Sequence, residues 1–146
     1  MGDFDNNGVL DISDIDGLMI QVAGGENLTD YDLIKDAMVN TEDIGGWGNS
    51  LAGTWIGDAN LDGELSSSDM VDVFQAGKYE LDVEAGRAAG DWNGGQRFGS
   101  GDLVAAFTDG GHELGSTAGV PAVPEPSCEI LLGIGILGIF RLHTRR

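Results

Sequence analysis

The chain has 146 residues, with 25 acidic against 7 basic side chains and a net charge of −18. That balance excludes nucleic acid as a partner, because phosphate binding needs a basic surface. The length suits one ordinary domain or two very small ones, and the single cysteine, Cys128, excludes an internal disulfide. Gly is the commonest residue at 25, which suits a loop-rich protein with a small core. Bound metal is a source of stability in such a chain, and so acidic a domain repels itself unless cations bind. Cys128 adjoins an apolar run without a His or Asp partner, and His112 and His143 stand alone. The chain has no Ser-His-Asp, CxxC, HExxH or phosphate-loop pattern.

The first element is the stretch Asp3 to Asp14, D-F-D-N-N-G-V-L-D-I-S-D. Oxygen-bearing side chains recur at Asp3, Asp5, Asn7, Asp11 and Asp14, and Val9 offers its carbonyl. Alternate residues in a tight loop can point at one centre, and a hard cation such as Ca²⁺ takes roughly 6–8 oxygen ligands. Gly8 permits the sharp turn, and Leu10 fills an apolar slot that pins the loop to a core. Ile15, Leu18 and Met19 follow at helical spacing, and Gly24-Gly25 end the helix. The triplet Asn27-Leu28-Thr29 matches a glycosylation acceptor, a pattern short enough to arise by chance.

Asp32 to Asp43 keeps the same register at Asp32, Asp36, Asn40 and Asp43, with Val39 in the apolar slot. Ile34 replaces one side-chain ligand and Ala37 the turn Gly, so metal binding here is weak or lost. The rival is an amphipathic helix capped by Thr29, with Leu33, Ile34, Ala37 and Met38 on one face. A decayed loop is favoured, because Ile44 and Trp47 reappear at the core slots that follow it. Gly45 to Trp55 is expected to connect two pairs of loops.

Asp58 to Asp69, D-A-N-L-D-G-E-L-S-S-S-D, is the second complete set. Its ligands are Asp58, Asn60, Asp62, the Glu64 carbonyl, Ser66 and Asp69, with Gly63 at the turn and Leu65 in the apolar slot. Asp69 also sits where a helix cap belongs. Met70, Val73 and Phe74 share one helix face before Gly77 stops it. Asp91 to Asp102 keeps Asp91, Asn93 and Asp102, with Phe98 in the apolar slot. Gly95 removes a carboxylate, Gln96 displaces the turn Gly and Arg97 adds a positive charge, so this site is also weak or lost. Leu103, Ala106 and Phe107 repeat the Met70, Val73, Phe74 spacing, and Gly110-Gly111 end that helix. Gly2, Gly57 and Gly90 each precede a loop, and this regularity argues for internal repetition. Trp47, Trp55 and Trp92 are read as core.

These features resemble type I dockerin repeats, the loop-helix relatives of the EF-hand. The matching residues are G-D-F-D-N-N-G-V-L-D-I-S-D and G-D-A-N-L-D-G-E-L-S-S-S-D. Asp rather than Glu in the last ligand slot, and the preceding Gly-Asp, fit dockerins better than EF-hand sensors. The resemblance covers about Gly2 to Gly111 and implies a small, mainly-α, loop-rich fold of paired loop-helix repeats around Ca²⁺. It further implies that Ile12-Ser13 and Ser67-Ser68, just before the closing aspartates, help contact cohesin-like partners.

After Gly119 the chain reads V-P-A-V-P-E-P-S through Ser127, extended by its prolines. Ile130 to Phe140 is an unbroken apolar run, followed by R-L-H-T-R-R with Arg141, Arg145 and Arg146. At about 1.5 Å per residue the run falls short of a ~30 Å hydrocarbon core. Spacer, apolar run and terminal arginines make a three-part sorting tail. The tail resembles the PEP-CTERM signal of bacterial envelope proteins through Pro124, Glu125 and Pro126. That resemblance implies export, an exosortase-type processing enzyme as partner, and a membrane anchor, transient or permanent, formed by the C-terminal helix. Met1 leads straight into Asp3 without an export signal, so the chain is expected to be a C-terminal fragment or to carry a misassigned start.

The expected organisation is one repeat pair over 1–55, a second over 56–112, a Pro-containing linker over 113–129 and the tail over 130–146. The expected function is a non-catalytic, Ca²⁺-binding module of an exported envelope protein. One alternative is a true dockerin that docks a larger protein onto a cohesin-like partner. Another is a carboxylate-based glycoside hydrolase. Against that, the acids sit at cation-ligand spacing, and so small a core is expected to enclose no deep pocket.

Overall fold

The computed structural model describes residues 1–116. The Pro124-Glu125-Pro126 motif, the apolar tail and Arg141, Arg145 and Arg146 lie outside the described residues. The fold is small, mainly α-helical and loop-rich. Its helices are α1 (Ile12–Gly24), α2 (Thr41–Gly45), α3 (Ser67–Gln75) and α4 (Ser100–Asp109). A π-helical segment, Gly46–Ala52, runs on from α2, and a 3₁₀ turn spans Arg87–Ala89. Among the described residues β-structure is limited to an isolated parallel bridge between Leu65 and His112. No described helix is long and apolar enough to cross a membrane.

Each α-helix starts at the tenth residue of a twelve-residue loop, with the ninth as its cap. Asp11, Asn40 and Ser66 take extended backbone and cap the helix, each accepting from an N–H of its first turn. The carboxylate at the loop's end reaches back to the cap's own N–H, the reciprocal arrangement of a capping box. Gly99 has no capping side chain, yet Asp102 still accepts its N–H at 2.9 Å. The segment from Asp32 to Val39 is not helical, so the rival amphipathic helix capped by Thr29 does not form. Asn27 has a local structural job, since its Oδ1 accepts the Val39 N–H at 2.8 Å.

The connector expected over Gly45 to Trp55 is instead mostly helical. Burying Trp47 supplies the reason: its indole N–H donates to the Gly2 carbonyl at 2.8 Å, and continued winding points the ring inward. Leu18, Ile44 and Trp47 anchor one apolar cluster with Ile15, Met19, Leu33 and Val39. Leu65, Val73, Trp92, Phe98 and Ala106 anchor a second, with Trp55 half-buried against it. Phe74 and Phe107, expected on core faces, are 47% and 51% exposed. Phe74 nevertheless packs on Tyr79 and Phe98, with ring centres 5.2 and 5.4 Å away. The folded part also runs past the expected linker boundary at residue 113. The Glu113 N–H donates to the Leu65 carbonyl, and its carboxylate accepts from Ser67.

Arg87 joins the two clusters and is fully buried. Its Nε–H donates to the Asp58 carbonyl at 2.9 Å and its Nη2–H to the Trp55 carbonyl. Its backbone N–H donates to Asp16 Oδ1 on α1 at 2.8 Å.

All four loops share a backbone path that composition hides. The fourth residue has positive φ in each: Asn6 at 60°, Lys35 at 63°, Leu61 at 59° and Gly94 at 79°. So does the sixth: Gly8 at 87°, Ala37 at 68°, Gly63 at 90° and Gln96 at 58°. A Cβ in that region costs on the order of 1–2 kcal/mol. Ala37→Gly should therefore stabilise the metal-free protein by up to about 1 kcal/mol, because relief of strain outweighs the added freedom of the unfolded chain. Gly63→Ala should destabilise it by about 1–3 kcal/mol, since its Cβ would also meet Ser116 Oγ at 3.0 Å. Urea denaturation of both variants checks the pair of signs.

Candidate metal centre

The closing aspartate organises each loop. Asp14, Asp43, Asp69 and Asp102 are at most 2% exposed. One oxygen accepts the N–H of the loop's second residue: Phe4 at 2.7 Å, Leu33 at 2.7 Å, Ala59 at 3.0 Å and Trp92 at 2.8 Å. The other accepts the N–H of the ninth: Asp11 at 3.0 Å, and Asn40, Ser66 and Gly99 at 2.9 Å. The carboxylate thereby clasps both ends of the loop.

The first aspartate holds the middle. The N–H of the sixth residue donates to it in every loop: Gly8 to Asp3 at 2.9 Å, Ala37 to Asp32 at 2.9 Å, Gly63 to Asp58 at 2.8 Å and Gln96 to Asp91 at 2.9 Å. Where the third and fifth residues have side-chain oxygens, these too accept N–H groups two residues on. Asp5 accepts from Asn7, Asn60 from Asp62 and Asn93 from Gly95. Asn7 accepts from Val9, Asp36 from Met38 and Asp62 from Glu64. Ile34 and Gly95 leave gaps in this series, but the loops keep their shape.

In the Asp3 loop three acidic side chains converge. Asp3, Asp5 and Asp14 each offer a carboxylate oxygen, and these lie within 4.8 Å of one another. Oxygens bound to one ion at about 2.4 Å are no farther apart than about 4.8 Å. An ionised carboxylate has about four lone-pair sites, so it can accept a backbone N–H and still face an ion. The Asn7 amide nitrogen bridges Asp5 Oδ2 at 2.9 Å and Asp11 Oδ2 at 3.3 Å. That donor separates the carboxylates in the absence of a cation. The Ser13 N–H is the main influence holding the Asp11 carboxyl below its usual range.

The Asp58 loop has the same frame with a different charge pattern. Asn60 puts an amide where the Asp3 loop has Asp5, and Ser66 a hydroxyl where it has Asp11. Burial pushes the Asp58 carboxyl up, while the Thr54 hydroxyl, the Gly63 N–H and the Arg87 charge pull it back. Ser67 and Ser68 are engaged within the fold, Ser67 with Glu113 and Ser68 with Ser66.

The two remaining loops bring fewer oxygens together. Asp32, Asp36, Asn40 and Asp43 serve as backbone acceptors in one. Asp91, Asn93 and Asp102 do so in the other, where Gly95 and Gly99 supply no side chain. Burial pushes Asp91 up to about 6. It lines a half-open cleft of about 440 Å³ with Asp16, Met19, Lys78 and Glu84.

No family model, no curated protein and no solved structure matches the chain.

Asp91 makes the metal-free protein pH-sensitive. Its folded pKa near 6 lies above the ordinary 3.8, so the folded state takes up its proton first as pH falls. This contribution is fully present below about pH 4 and is lost as pH rises through about 6. Carboxyl-carbon NMR should place the Asp91 midpoint near 6, and urea midpoints should be higher at pH 5 than at pH 7.5. An Asp91 midpoint near 4 would remove the basis for the effect.

Proposed function

We propose that the chain is a non-catalytic calcium-binding module of an exported, envelope-targeted protein. The observation that carries this reading is the convergence of Asp3, Asp5 and Asp14 oxygens within 4.8 Å, in a loop frame repeated at Asp58. Every side-chain donor in both loops is oxygen, and that set suits Ca²⁺ rather than a softer thiolate- or imidazole-seeking metal. The metal would be held by Asp3, Asp5, Asn7, the Val9 carbonyl, Asp11 and Asp14. At the other loop it would be held by Asp58, Asn60, Asp62, the Glu64 carbonyl, Ser66 and Asp69. Bound there, the ion neutralises carboxylates that otherwise repel, and it stabilises the folded state by mass action.

Calorimetry in chelator-treated buffer should find two Ca²⁺ per chain, and Asp58→Ala should remove one. Chelation should lower both the melting temperature and the helical circular dichroism. A melt unchanged by Ca²⁺, or four equal sites, would contradict the reading.

Export rests on the sequence of the tail alone. Pro124-Glu125-Pro126, the apolar run and the terminal arginines support recognition by an exosortase-type enzyme and removal of residues 130–146. Mass spectrometry of envelope fractions from the native host should show mature protein without Arg146. Replacing Pro124-Glu125-Pro126 with alanines should leave the tail attached.

A further inference from the structure

Building on the calcium reading above, we infer that the two loops fill in order, the Asp3 loop first, and that Arg87 sets the order. The Asp3 loop brings carboxylates at Asp3, Asp5, Asp11 and Asp14. The Asp58 loop brings them at Asp58, Asp62 and Asp69, with a neutral amide at Asn60 and a hydroxyl at Ser66. Ligand charge count is a main determinant of calcium affinity in loops of this size.

Arg87 widens the difference. Its guanidinium is wholly buried and bonded to the backbone carbonyl of Asp58, the loop's first ligand. The acids that bear on its charge are, in order of influence, Asp58, Asp16, Asp109 and Asp69, so the first ligand of that loop leads them. Burial makes this charge costly, and the neighbouring acids repay part of that cost. A divalent ion entering the loop draws on the same carboxylates and meets a fixed positive charge behind them. Its hydrogen bonds go to backbone carbonyls, and Nη1 has no hydrogen-bond partner among the described residues. Arg87, 32 positions after Trp55 in the chain, is thus an internal positive charge beside the second loop. Among the described residues the salt bridges are Arg97 with Asp82 and His112 with Glu113, and neither involves a ligand of either loop.

Nitrogen–proton NMR separates the sites, because Gly8 and Gly63 each donate to the first ligand of their own loop. Titrated with calcium chloride, the Gly8 signal should complete its change before Gly63 begins. Arg87→Met should move the Gly63 midpoint to about tenfold lower calcium and leave Gly8 where it was, as loss of one nearby unit charge requires. Asn60→Asp lies on the exposed rim and restores the missing carboxylate without touching the core. It should tighten the Gly63 site by about tenfold even if Arg87→Met does not fold. Simultaneous transitions, or Gly63 first, would overturn the order. A Gly63 midpoint unmoved in a folded Arg87→Met protein would overturn the role of Arg87, and one unmoved by Asn60→Asp would overturn the charge argument. Two glycine signals that ignore calcium in every variant would instead dismiss the calcium reading itself.

Discussion

A buried carboxylate at the end of each loop is the constraint on which the fold depends. It is charged or strongly polar, it is out of water, and both oxygens accept backbone N–H groups from opposite ends of its loop. Such bonds are charge-assisted and stronger than neutral ones. They close the loop and start the helix in a single act. With the first aspartate holding the middle N–H groups, little of the loop's backbone polarity is left to packing. That suits a protein whose apolar residues are divided between two small clusters.

The same arrangement gathers the acidic side chains of the first loop. The carboxylates are placed by backbone contacts, so their convergence at Asp3, Asp5 and Asp14 does not require an ion to assemble them. Preorganisation of this kind reduces the ordering cost that binding would otherwise carry. It also concentrates negative charge, which a cation relieves. Where the second cluster meets the Asp58 loop, Arg87 already provides part of that relief from within.

The sequence made the loops legible because they depend on residue types at fixed spacing, but it set the helix start too late: the cap expected at Asp69 is Ser66, and Asp69 is the third helical residue. Carboxylate, amide and hydroxyl recur at alternate positions, and a capping side chain precedes each of the first three helices. Other features lacked such a signal. The fourth loop residue adopts positive φ whether it is Asn6, Lys35, Leu61 or Gly94, and those side chains share no chemistry. Gly45 to Trp55 looked like a connector by its glycines, but burial of Trp47 overrode that local preference. Phe74 and Phe107 fit the period of a core face, yet helices with so little packed against them leave the face's edge in solvent. Arg87 carried no local signal, because its role depends on Trp55, Asp58 and Asp16, which are distant in sequence.

The Asp32 loop has Ile34 at its third position and Ala37 at its sixth, yet its hydrogen bonds to Asp32 and Asp43 match those of the Asp3 loop within 0.1 Å at the sixth and ninth residues. Two aspartates are enough to preserve the shape. The remaining positions are therefore free to drift without unfolding the chain. Shape and side-chain chemistry are thus separable in such a repeat, and a copy that has lost oxygen-bearing side chains still serves as a scaffold for its neighbour.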